Sequence, residues 1–219
     1  MNRSVRIADR YRALVRVNEI TLGSSTISEV FQGMCVILRQ LLPFDRAALT
    51  LYDPKQNSMK IESLFGPYEN SVFRVGYLLP RNSSQSGWTF EHQVMTIRRD
   101  LAKDFRFPSE QYTINEGYRS TCSVPLIVRR NSIGAVTIVG TQKNQFYVGD
   151  ARLAQEISNH MIIAIISMIR SCPVHPSTQL FCPKCIGAVG GKATVSKHRE
   201  SLSNWGKKGG RGRKKIDIS

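Results

Sequence analysis

The spacing of hydrophobic positions changes period several times along the chain, and each change marks an element. Ile27, Val30, Phe31, Met34, Ile37, Leu38 and Leu41 recur at three- and four-residue steps. That is one helix face turned to a core, with Cys35 as a small core residue beside it and Pro43 closing the run. Ahead of it, residues 4–22 set Val5, Tyr11, Leu14, Val15 and Leu22 among arginines. This predicts an amphipathic helix with a basic outer face, which either pairs with a copy of itself or packs on the domain. Gly23 and the run Ser24 to Thr26 separate the two helices. From Arg46 the period falls towards two, and RAALTLYD (46–53) predicts a strand ended by the turn residues Asp53 and Pro54. Residues 59–65 predict a second strand and 71–79 a third, stopped by Pro80. A short helix over 83–91, a fourth strand over 94–98 and a polar loop with a short helix over 105–117 follow. The apolar runs 119–129 and 132–141 flank Arg130 and Asn131 and predict a hairpin. Asp150 then caps a long helix to about Arg170, with Leu153, Ile157, Met161, Ala164, Ile165 and Met168 as its buried stripe. Strands alternate with helices only in part and close in a hairpin. The class is therefore α+β, with an antiparallel sheet covered by helices on one face.

Three segments and two single residues carry a resemblance. FDRAALTLYD (44–53), SGWTFEHQVMTIRRDL (86–101) and GYRSTCSVPLIVRRNSIGAVTI (117–138) occur in that order, followed by Phe146 and Asp150. Over about residues 27–169 this combination resembles a GAF domain. The resemblance implies a central antiparallel sheet with the N- and C-terminal helices on one face. Short helices and loops would cover the other face, where such domains usually hold a ligand. Arg119, Ser120, Cys122 and Asp100 are the candidate pocket residues, for a small molecule that the sequence does not name. Arg119 either offers its fork of donors to an anionic group or pairs with Asp100 or Glu116 and staples the neighbouring loop. Pro125 removes one ladder donor, so its strand should lie at an edge or bulge there, and Gly134 opposite permits a close backbone approach.

The same stretch carries no catalytic signature. No glycine-rich loop follows a strand to cradle phosphate, no Ser-His-Asp pattern occurs, and His92 and His160 stand far apart. Methionine sulfoxide reductases with a GAF-like fold use a set of cysteines, whereas this body has Cys35 and Cys122 alone. Bilin-binding relatives carry a cysteine commonly followed by His, and here Ser123 follows Cys122. Cyclic-nucleotide-binding relatives end their signature in Asp-Glu, and here Ala151 follows Asp150. The expectation is a chain that is not an enzyme, with Cys122 either an inert strand thiol or a redox switch.

Composition sharpens this picture at one end. A hydrophobic fraction of 41% is enough for a core. The longest apolar stretch, Met161 to Ile169, is far shorter than a membrane span, and the N-terminus shows no apolar signal region. No membrane insertion and a cytoplasmic location are expected. The net charge is +15, and residues 172–219 carry +8 of it. The chain accordingly divides into a sensory body (1–170), a knuckle (171–190) and a basic, glycine-rich tail (191–219). In the knuckle, Cys172-x-x-His175 and Cys182-x-x-Cys185 have the spacing of a closed, structural zinc site. His198 is an alternative to His175, and free thiols on a linker are the plain alternative to zinc. In the tail, Lys207, Lys208, Arg211, Arg213, Lys214 and Lys215 form a basic cluster suited to nucleic-acid phosphates. Its GRGRK portion is similar to an AT-hook, with Gly210 where a proline often stands. Together these features predict a sensory or regulatory protein that responds to a small ligand and is coupled to nucleic acid by knuckle and tail. The alternative is a homodimeric protein-interaction module of a signalling system, joined through helices 4–22 and 150–170, whose tail contacts an acidic protein.

Overall fold

A computed structural model of the chain describes residues 7–169. The knuckle at 171–190 and the tail at 191–219, with the metal and nucleic-acid candidates on them, lie outside the described residues. The order is α1 (Ile7–Gly23), α2 (Ile27–Leu41), β1 (Arg46–Asp53), β2 (Ser58–Phe65), β3 (Leu78–Pro80), α3 (Gln85–His92), β4 (Thr96–Arg98), α4 (Glu110–Asn115), β5 (Ser120–Val128), β6 (Asn131–Gly140) and α5 (Val148–Ile169).

The helix boundaries have local causes. Thr26 caps α2 by accepting the Glu29 N–H, while the Glu29 carboxylate accepts the Thr26 N–H, a reciprocal capping box. Ser84 caps α3 by accepting the Gly87 N–H. The sequence placed Asp150 ahead of α5, but the helix begins two residues earlier. Asp150 reaches back from the first turn to accept the Tyr147 N–H at 2.8 Å. A carboxylate there also suits the positive end of the helix dipole.

The six strands form one antiparallel sheet in the order β3-β2-β1-β6-β5-β4. The third strand is shorter than the pattern predicts: only Leu78–Pro80 pair, with Ser58 to Lys60 of β2. The alternating Phe73, Val75 and Tyr77 belong instead to a loop that meets β2 only where Gly76 and Tyr77 bond Ile61, and Phe73 and Tyr77 pack on the small apolar cluster. At the hairpin, β4 pairs with Thr121 to Ser123 only, so Pro125 lies beyond the end of the neighbouring strand. The missing N–H of Pro125 therefore breaks no ladder bond on that side, and its carbonyl accepts the Gln155 side chain from α5. Gly134, opposite Leu51 and Leu126, lies so close to the Thr50 carbonyl that any Cβ would run into it.

Two faces follow from the strand period. Ala47, Leu49 and Leu51 of β1, Cys122, Val124 and Leu126 of β5, and Val136 and Ile138 of β6 turn to α1, α2 and α5 and build the main core with Phe31, Met34, Phe146 and Ile157. The intervening residues turn to the opposite face, which α3, α4 and the loops around them cover. A smaller apolar cluster of Met59, Ile61 and Leu79, with Phe73, Tyr77 and Phe90 against it, lies there. The fold is α+β, with the first and last helices on one face of an antiparallel sheet.

Candidate functional site

The loop-covered face holds a cavity of about 80 Å³. Its floor is the sheet, with Ala48 of β1, Ile61 and Leu64 of β2, Thr121 of β5, and Thr137 and Val139 of β6. Its roof is Ser84 to Ser86 at the start of α3, Leu101, and Ser109, Glu110 and Thr113 around α4, with Tyr68 and Phe73 closing one side. The lining is thus an apolar patch facing a strip of hydroxyls. The hydroxyls are tied to one another: Thr121 Oγ1 donates to Gln85 Oε1 at 2.9 Å, and Ser123 and Thr137 share a bond of 2.8 Å. Gln85 in turn donates to Thr96 Oγ1 at 3.0 Å, which fixes α3 to β4.

Arg46 stands at one end of the cavity. It is the first residue of β1, 7% exposed, and its guanidinium lies 4.3 Å from the ring centre of Tyr68 and 4.4 Å from that of Tyr118. This aromatic sandwich suits a planar cation. One terminal nitrogen donates to Glu116 at 2.5 Å, and Glu116 also accepts the Ser71 hydroxyl at 2.8 Å. The Nε–H of Arg46 is buried and has no hydrogen-bond partner among the described residues. Burial also pushes the Tyr68 hydroxyl well above the usual phenol range, against the pull of Arg46, so Tyr68 stays neutral and donates to the Ala47 carbonyl.

The roof is pinned at the other end by a second buried arginine. Arg98 of β4 donates to both oxygens of Glu110, at 2.8 and 3.4 Å, and to Asp104 at 2.8 Å. Glu110 further accepts the backbone N–H groups of Arg106 and Phe107. A carboxylate with this many donors is fully engaged and shapes the cavity wall.

The four pocket candidates from the sequence sit elsewhere. Arg119 donates twice to Asp100, at 3.1 and 2.7 Å, and Lys143 lies 3.3 Å from the other Asp100 oxygen. This cluster ties the start of the 100–118 loop to the hairpin. The Arg119 hydrogen bond, with Lys143 adding to it, holds the Asp100 carboxyl below the usual range despite the opposing effect of burial. Ser120 donates to the Gln142 carbonyl at 2.8 Å. Cys122 belongs to the helix-side core, and burial pushes its thiol up to about 12. Cys35 is likewise buried and raised. None of the four candidates lines the cavity. Their strand positions alternate with the ones that do: Thr121 faces the cavity and Ser120 and Cys122 face away. Polar residues at alternate strand positions, Arg46, Thr121, Ser123 and Thr137, mark this face in the sequence, whereas the residues between them are largely apolar, with Ser120 at the start of β5 as an exception. Glu110 had no comparable signal. Among the described residues no cluster of His, Cys, Asp or Glu is arranged to hold a metal ion. No described helix is long and apolar enough to cross a membrane.

Comparison with known proteins agrees with this architecture. The GAF domain model matches residues 26–165. No curated protein matches the chain. Among solved structures, the GAF domain from an Acinetobacter phosphoenolpyruvate-protein phosphotransferase superposes with a TM-score of 0.64 at 14% identity, covering 78% of this chain and 99% of that one. The GAF domain of a Bacillus halodurans two-component sensor histidine kinase gives 0.57 at 17%, covering 65% and 95%. The free methionine-R-sulfoxide reductase from Neisseria meningitidis, solved with its substrate, gives 0.60 at 13%, covering 75% and 93%. This last similarity corrects the expectation that the chain is not an enzyme. The same fold carries catalysis in that reductase, so missing motifs do not place this chain outside the enzymes. Both the ordered segments and the fold lead to one family: the chain belongs to the GAF domain family.

Proposed function

We propose that this chain is a sensory or regulatory protein whose GAF domain takes a small molecule in the cavity between the sheet and α3–α4. Family membership supports a sensory or regulatory role, through ligand binding or protein interaction. The observation that carries the ligand reading is the cavity itself, with an apolar patch, a strip of hydroxyls and a buried arginine donor left unpaired. Occupancy would be felt by the roof, because Gln85, Glu110 and Thr113 belong to the short helices and not to the sheet. Native mass spectrometry of the full chain tests this reading. A low-mass adduct is expected on the wild type and should be lost from Ala48→Leu, which fills the cavity from its floor. An adduct retained by both proteins, or absent from the wild type, contradicts it.

The output side of this proposal rests on sequence. Residues 172–219 carry a net +8, and the knuckle ligands Cys172, His175, Cys182 and Cys185 have the spacing of structural zinc. We assign the tail to nucleic-acid contact through Lys207, Lys208, Arg211, Arg213, Lys214 and Lys215, with affinity that falls steeply with salt.

A second reading, a homodimeric interaction module, is favoured by one observation. Tyr11, Val15 and Leu22 lie on a single face of α1 and are 70%, 41% and 88% exposed. In that reading the tail meets an acidic protein. Light scattering that shows a monomer at micromolar concentration removes it.

A further inference from the structure

We infer that the cavity selects an uncharged molecule carrying one hydrogen-bond acceptor, such as a small carbonyl compound, and discriminates against the isosteric carboxylate. This rests on the reading of the cavity as a ligand site and names the class of ligand. The first observation is charge balance. Arg46 is already paired with Glu116, and Glu116 is held a second time by the Ser71 hydroxyl. At the other end Arg98 is paired with Glu110. Both arginines and Glu110 are buried, and the Glu116 side chain is 17% exposed, so the site is closely neutral as it stands. An entering carboxylate would add an uncompensated negative charge beside Glu116, in surroundings where an unpaired charge is costly.

The second observation is the donor left over. Arg46 Nε–H is buried without a partner, while the same guanidinium is sandwiched between Tyr68 and Tyr118. A buried donor of this kind is satisfied by a single acceptor atom. A purely apolar occupant would leave it unpaired, and a charged one would overfill the site. The third observation is size. About 80 Å³ is near half of the roughly 150 Å³ apolar cavity that accepts benzene, so the occupant is small. Its carbon skeleton rests on Ile61, Leu79 and Leu101, which are buried and apolar.

A pair of probes with the same skeleton separates these terms: 2-butanone, and propionate, in which a charged oxygen replaces one methyl group. Both are titrated into the full-length chain while the Arg46 Nε–H signal and the methyl signals of Ile61, Leu79 and Leu101 are followed by NMR. The expected result is that 2-butanone moves all of these signals and binds roughly tenfold or more tightly than propionate. In Glu116→Gln, where the arginine charge is released, the order should reverse. Equal or tighter binding of propionate to the wild type overturns the inference, as does 2-butanone moving the methyl signals without Arg46 Nε–H. The wild-type comparison decides even where Glu116→Gln folds poorly. Xenon distinguishes the two levels of failure. If neither probe enters but xenon moves the lining methyl signals, the ligand class is wrong and the cavity reading survives. If xenon is excluded as well, the cavity reading falls with it.

Discussion

Arg46 and Arg98 are both charged, both buried and both at the ends of strands, yet they do different work. Arg98 has carboxylate partners on three of its nitrogens, whereas Arg46 retains one buried donor. The first arrangement is structural, and the second leaves a donor that the proposed ligand would satisfy. Breaking the structural one leaves Arg98 buried beside a single half-exposed carboxylate, so Glu110→Ala is expected to destabilise the domain by about 3–5 kcal/mol in urea unfolding. A loss below about 1 kcal/mol would show that water reaches the pair. Asp100 supplies a pH signature. Its carboxyl is held low in the folded state, chiefly by the Arg119 hydrogen bond. Its contribution is therefore complete near neutrality and lost as pH falls through the lowered value, below about pH 4. Stability measured across that acid range should fall for the wild type and fall less steeply for Asp100→Asn. Identical slopes would remove Asp100 from the account.

At the scale of elements, the α2 cap is a clean test because it touches nothing in the cavity. Thr26→Ala removes the side-chain acceptor of the capping box and should cost about 1 kcal/mol without changing ligand binding. Most elements were legible in the sequence because their stripes are strong. The α2 and α5 patterns mark residues that pack in the core, and the hairpin forms one residue earlier than read, turning at Arg129 and Arg130 with Asn131 already in β6. The motif positions also have physical reasons: Phe146 fills the core, Asp150 ties down the first turn of α5, and Pro125 lies where its strand has lost a neighbour. The third strand is shorter than its pattern because Phe73, Val75 and Tyr77 alternate as in a strand while lying in a loop, from which Phe73 and Tyr77 pack on the small cluster. The four pocket candidates lie away from the cavity for a related reason. The resemblance drew attention to Arg119, Ser120 and Cys122, two of which turn away from the cavity, while Thr121 between them turns in. Strand period identifies the set of residues sharing a face; only the packing of α1, α2 and α5 tells which face is covered by helices and which by loops.

For the whole molecule, the division of charge matters more than its sum. The described body, a GAF domain, holds its cavity with balanced ion pairs, while most of the excess positive charge lies beyond residue 171. The proposed reading places sensing in the body and output in the tail. In the proposed function the loop-covered face of the sheet is a small-molecule site. Its most direct test is the methyl-resolved NMR spectrum of the full-length chain, recorded with and without the low-molecular-weight fraction of a cell extract. The signals of Ile61, Leu64, Leu79, Leu101 and Val139 are expected to move while those of Val124, Leu126 and Ile138, on the helix-side face, stay in place. Movement confined to Val94, Met95 and Ile162 in the open groove beside α5, or no movement in any of these signals, would contradict it.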